Sequence, residues 1–184
     1  MKKAIVYISC IFFLLISCKE KSSEKIALNT IENQQQKFKV ETVVSDLEIP
    51  WGMVFLPDGA MLVTERKGEL IHFKGGIKTL VKNVPEVYFE GQGGLLDIEL
   101  HPNYAENGWI YFSYSSSIGN NKKGGNTTIM RAKFDNFELT DKEILYKATP
   151  NTTRGVHFGS RIEFDNAGFL YFSVGDRGNR DVNP

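Results

Sequence analysis

Cysteine is scarce in this sequence: its 184 residues hold two, Cys10 and Cys18, both near the start. With three histidines beside them there is little material for a structural zinc site. No sign of charge dominates, since 22 Lys and Arg stand against 22 Asp and Glu. A neutral chain exerts no long-range pull on polyanions, so no nucleic-acid partner is expected. Long apolar runs are missing too, for the uncharged stretch Ala4 to Ser17 falls short of the roughly 20 residues a membrane span needs. Disorder is excluded by the 41% of hydrophobic residues, and the length suffices for one domain with its own core.

What surrounds the apolar stretch gives it meaning. Met1-Lys2-Lys3 precedes it and Lys19-Glu20-Lys21-Ser22-Ser23 follows, the order of an export signal. It ends in Leu15-Ile16-Ser17-Cys18, which resembles a bacterial lipobox, where Cys18 is lipidated and becomes the mature N-terminus. An ordinary signal peptide with an incidental Cys, or an uncleaved anchor, would leave the same trace. The lipoprotein reading divides the chain into a signal peptide with its lipobox (1–18), a flexible tether (19–37) and a folded domain (38–184). It implies an exported bacterial lipoprotein on the periplasmic side of a membrane or at the cell surface, touching the bilayer through the lipid alone. The mature chain then has no free thiol and no disulfide, which excludes thiol catalysis and leaves stability to packing.

From Phe38 onward, short apolar runs are punctuated by Gly, Pro, Asn and Asp. Phe38, Val40, Thr42 and Val44 alternate as a half-buried strand should. Four further runs, Met53–Leu56, Met61–Val63, Glu69–Phe73 and Ile77–Val81, are joined by tight turns and predict an antiparallel meander. The pattern of apolar strand, turn, Gly and apolar strand at 53–64 returns at 98–113 and 162–173. The turn glycines Gly59, Gly108 and Gly168 lie 49 and 60 residues apart, slightly above the roughly 40–50 residues of a propeller blade. A polar excursion from Ser115 to Asn126 accounts for the longer interval and reads as a surface loop. The fold class expected is all-β, a propeller rather than a sandwich, with about three blades in this chain. Three blades do not close a ring, so the chain is expected to be the N-terminal portion of a longer protein.

Three Gly-rich stretches sit at strand ends. Glu90-Gly91-Gln92-Gly93-Gly94 lets backbone approach a ligand and leaves the Gln92 amide for hydrogen bonding, or is a plain inter-blade turn. In Arg154-Gly155-Val156-His157-Phe158-Gly159, His157 either offers a base near neutral pH or merely ties a blade turn. Gly175-Asp176-Arg177-Gly178-Asn179-Arg180 either cradles an anion through Arg177 or Arg180, or is a solvated loop held by Asp176. His72 and His101 fall inside repeat elements and read as structural.

Pro50-Trp51-Gly52-Met53, Thr64-Glu65-Arg66, Gly91-Gln92-Gly93-Gly94-Leu95-Leu96-Asp97, His101-Pro102-Asn103-Tyr104, His157-Phe158-Gly159-Ser160-Arg161 and Gly175-Asp176 follow one another in an order that resembles the soluble glucose/sorbosone dehydrogenases, the PQQ-dependent aldose sugar dehydrogenases. The resemblance implies a six-bladed β-propeller that holds pyrroloquinoline quinone (PQQ) at its axial face with calcium against the quinone. It gives His157 the role of general base for the anomeric hydroxyl of an aldose, with hydride passing to the quinone and a lactone as product. It places Gln92 in the cofactor site and Arg177 beside it. Val156 stands where the family commonly has a polar residue, and Ser160 where it has Gly. The calcium ligands and the main cofactor-binding Lys and Arg residues are expected beyond Pro184, so this stretch by itself is expected to be inactive. The other class of function open to the sequence is a propeller that has lost its cofactor and serves as a lipid-anchored binding module.

Overall fold

The computed structural model describes residues 40–117 and 123–181. The expected signal peptide with Cys18, the tether and residues 118–122 of the polar excursion lie outside them. The chain separates into two units, 1–41 and 42–184, and of the first only Val40 and Glu41 are described.

The second unit is built from meanders. Strands β1 (Pro50–Phe55), β2 (Met61–Glu65), β3 (Glu69–Lys74) and β4 (Ile77–Leu80) form an antiparallel sheet in chain order. A second four-stranded sheet follows from β5 (Leu95–Leu100), β6 (Trp109–Ser116), β7 (Asn126–Asp135) and β8 (Glu138–Lys147). Strands β9 (Gly159–Phe164) and β10 (Leu170–Val174) make a third, two-stranded sheet. A single short helix, α1 (Tyr104–Asn107), lies between β5 and β6. The first strands of the three sheets, β1, β5 and β9, pack on one another in that order, which is the arrangement of successive propeller blades around an axis.

Alternation along the middle sheet supplies both of its interfaces. Ile110, Phe112 and Tyr114 of β6 with Met130 and Ala132 of β7 point to the first sheet, where Leu62, Leu70 and Val81 close the main core. Tyr111 and Ile129, on the reverse face, meet Ile162 of β9 in a smaller cluster flanked by Trp109 and Phe164. The linker after β4 is stitched to the second sheet at Lys82, whose N–H and carbonyl pair with Phe137 and Leu139.

Two expectations need correction. Among the described residues, 40–49 contain no strand, although Phe38 to Val44 alternate like one. No neighbouring strand offers that segment a ladder; Val40 is 95% exposed and Val43 65%. It is tied instead at its end, where the buried Glu65 carboxylate accepts the N–H groups of Glu48 and Ile49 at 2.9 and 2.8 Å. The polar excursion is also shorter than expected, because Ser115 and Ser116 belong to β6 and Asn126 opens β7.

Candidate active site

Because β5 and β9 are the first strands of neighbouring sheets, the loops that lead into them share one rim. β10 runs antiparallel to β9, so the loop leaving it returns to that rim. The stretches 88–94, 150–158 and 175–178 thus converge, and each carries one of the expected Gly-rich motifs.

The convergence is knit by main chain. The Gln92 N–H donates to the Gly155 carbonyl at 2.7 Å, and a Cβ on Gly91 would overlap that carbonyl, so the approach requires glycine. The Gln92 side-chain Oε1 in turn accepts the N–H of His157 at 2.8 Å. That bond leaves the two Nε2 hydrogens of Gln92 without a protein partner among the described residues. Phe158 anchors the far side: it is buried, and its carbonyl accepts the Thr127 hydroxyl. Between these ties His157 adopts a left-handed backbone, φ 55°, and its side chain is 60% exposed. Such a conformation in a non-Gly residue persists only where surrounding bonds over-determine it, and it is commonest at functional positions.

His157 has a carboxylate partner. Its Nδ1 lies 2.9 Å from Asp176 Oδ1, which also accepts the Gly178 N–H at 2.8 Å. The Gly178 N–H and the His157 ring hold the Asp176 carboxyl below the usual carboxylate range, outweighing an opposing desolvation effect. An ionised carboxylate at Nδ1 puts the ring proton there, which leaves Nε2 as the basic nitrogen on the open side. Sequence reasoning placed Asp176 in a loop without pairing it to His157. The 19-residue separation hides the contact, which only the antiparallel return of β10 creates.

Arg177, the other residue expected at the cofactor, carries its side chain into the protein. It is 3% exposed, and its guanidinium turns inward to the carbonyls of Gly175, at 2.7 Å, and Thr149, at 3.5 Å. What it brings to the rim is backbone: its N–H donates to the His157 carbonyl at 3.0 Å and its carbonyl accepts the Thr152 hydroxyl at 2.8 Å. Arg180 remains exposed, 3.9 Å from Asp176 Oδ2. His101 is occupied in a turn, its Nδ1 accepting the Asn103 N–H at 3.0 Å, and His72 stacks on Phe134 and meets Phe137 edge-on. Among the described residues no group of three or more His, Cys, Asp or Glu side chains could hold a metal ion.

The chemistry of this donor set fits one edge of an anionic quinone. A free amide donor and an exposed base are present, with the cationic Arg66 reaching the Gln92 loop from the β2–β3 turn through Gly91, while a metal ligand set is not among the described residues. The site is thus an oriented His–Asp pair on the rim of successive blade-like meanders.

The comparisons with known proteins agree. The profile of the glucose/sorbosone dehydrogenases matches residues 47–183, and the chain belongs to that family. It is 37% identical over 144 residues to aldose sugar dehydrogenase YliI of Escherichia coli, covering 77% of this chain and 39% of that protein. It is 34% identical over 166 residues to the uncharacterized protein slr1608 of Synechocystis, covering 85% of this chain and 40% of that one. The structure of the PQQ-bound aldose sugar dehydrogenase from Streptomyces coelicolor superposes with a TM-score of 0.66 at 30% identity, over 76% of this chain and 42% of that one. The chain spans about two fifths of the length of these curated relatives.

Proposed function

We propose that the whole protein of which this chain is part oxidises aldose sugars at the anomeric carbon, with PQQ as the acceptor, to give lactones. The observation that carries the reading is His157, whose main-chain N–H is held by the Gln92 amide and whose ring Nδ1 is held by the Asp176 carboxylate, with Nε2 on the open side. The proton of the anomeric hydroxyl passes to Nε2 of His157, and Asp176 stabilises the imidazolium that results. Gln92 would hold the cofactor on this side through the Nε2 hydrogens that its bond to His157 leaves unused. When bound, the quinone supplies a two-electron hydride acceptor and calcium a Lewis acid beside it, the calcium ligands lying outside the described residues. Export and lipid attachment at Cys18 complete the proposal, and Cys18→Ala should move the protein from the membrane fraction to the soluble fraction or leave its signal uncleaved. Unchanged processing and partitioning would remove the anchor.

The direct test assays the purified whole protein for aldose-dependent reduction of an artificial electron acceptor, with and without added PQQ and calcium. Activity that appears only with PQQ supports the reading. No oxidation of any aldose in a broad panel, with saturating PQQ and calcium, would leave a cofactor-free binding module in its place.

A further inference from the structure

One cation on the catalytic rim has no part in the chemistry above. Arg66 follows β2, at the turn into β3, and reaches from the first sheet to the loop that carries Gln92. Three contacts fix it there. Its main-chain carbonyl accepts the Leu95 N–H at 2.9 Å, its guanidinium Nη1 donates to the Gly91 carbonyl, and the guanidinium carbon lies 4.9 Å from the centroid of the Phe89 ring. One residue therefore grips the loop 89–95 before, within and after the segment that holds Gln92. The fit is close: a Cβ on Gly94, whose φ is 147°, would overlap the Arg66 carbonyl.

The electrostatics point the same way. Arg66 is half-buried, its Nε is buried with no hydrogen-bond partner, and no carboxylate pairs with it among the described residues. A guanidinium nitrogen buried without a partner or a counter-charge is unfavourable, unlike one in a surface ion pair. What it makes instead is a directional, charge-assisted bond to a carbonyl, together with a face-on contact to an aromatic ring.

We propose that Arg66 is a positioning residue for the cofactor: it sets the Gly91–Gln92 turn so that Gln92 accepts the His157 N–H and keeps its Nε2 for the quinone. The role rests on the reading of this rim as a quinone site. It depends on the planar fork and not on charge alone, since a lysine ammonium has no plane to lay on Phe89.

The test uses the whole protein, PQQ as the probe, and the variants Arg66→Ala and Arg66→Lys. Three quantities are measured: the Kd for PQQ by equilibrium titration in the absence of sugar, hydrogen exchange of the peptide spanning 88–95, and kcat at saturating PQQ and aldose. Both variants should raise the Kd by about tenfold or more, the loss of one charge-assisted hydrogen bond. Both should speed exchange in 88–95 while β6 and β7 stay protected. At saturating PQQ, kcat should fall by less than about threefold, the split expected of a residue that places the binding group without touching the reacting atoms. Wild-type affinity in Arg66→Ala, or full rescue by Arg66→Lys, overturns the role of Arg66 alone. So does a loss of binding accompanied by faster exchange throughout the sheets. A wild-type protein that does not bind PQQ overturns the function and this role with it.

Discussion

The middle sheet turns one face to the first sheet and the other to the third, and the two faces differ in kind. Toward the first sheet the apolar contact is large: Phe112, Ile110, Met130 and Leu95 meet Leu62 and Leu70, with the buried Thr64 hydroxyl donating to the Leu96 carbonyl among them. Toward the third sheet the apolar contact shrinks to Tyr111, Ile129 and Ile162, and charge takes over along β5 and β9. Asp97, 7% exposed, accepts the Ile162 N–H at 2.9 Å and lies 3.6 Å from Arg161. Apolar burial makes up most of the first interface. A bond from a buried carboxylate to one particular N–H fixes the register of β9 on β5, and with it the position of the His157 loop relative to the Gln92 loop. Most of the apolar burial thus lies on one face of the sheet, and the bond that sets β9 against β5 on the other.

The largest expected effect breaks the apolar side. Phe112→Ala removes a fully buried ring from the centre of the main core, and denaturant unfolding should show a loss of about 3–5 kcal/mol. A loss below about 1 kcal/mol would mean that the two sheets do not share that core.

On the side that carries the site, Asp176→Asn keeps the shape and removes the charge that orients His157. At saturating PQQ, kcat should fall by at least about tenfold, because the amide no longer enforces the Nδ1-protonated ring. The same variant has a defined pH signature. The folded state depresses the Asp176 pKa, so its contribution to stability is present above the ordinary carboxylate value of about 4 and is lost as pH falls through the lower folded value. The melting-temperature difference between wild type and Asp176→Asn should shrink in strong acid, as the carboxylate is protonated. A difference that persists unchanged through strong acid would contradict the assignment.

The smallest effect concerns Glu99. Burial pushes its carboxyl above the usual range, with the Glu163 and Asp97 carboxylates adding to the shift and Arg161 opposing it. A raised folded pKa disfavours the ionised group, so the associated stability is present at low pH and lost as pH rises through the folded value. Glu99→Gln should therefore raise the melting temperature at pH 7, by no more than about 2 °C given its partial exposure. It should have no effect below about pH 4, where Glu99 is protonated in both states. A lower melting temperature at neutral pH would show that Arg161 dominates.

Much of the fold was legible because it is local. The four runs from Met53 to Val81 alternate and turn within a few residues, and the structure has β1 to β4 there. The two ten-residue strands β7 and β8 went unnamed, although Thr127-Thr128-Ile129-Met130 is β-branched and Asn136 and Phe137 turn with positive φ. Their alternation is blurred, since β7 is buried on both faces at its start and β8 is mostly exposed. The segment expected to form a strand from Phe38 shows none over its described residues, 40–44, for the opposite reason: its alternation is clean, but no strand among the described residues offers it a ladder. At the rim, Gln92 and His157 stand out in the sequence by their glycine neighbours, whereas the pairing of Asp176 with His157 and the reach of Arg66 do not. Their roles depend on which loops the blades bring to one rim. Arg177 shows the converse, a residue in a suggestive motif whose side chain the fold turns inward.

The central claim, that the rim joining Gln92, His157 and Asp176 performs the chemistry, is tested most directly by the turnover of His157→Gln in the whole protein with PQQ and calcium saturating. Measured beside its melting temperature and PQQ affinity, kcat should fall by at least about 10²-fold, while the other two stay near wild type. A well-folded His157→Gln protein that binds PQQ and oxidises aldoses at the wild-type rate would contradict it.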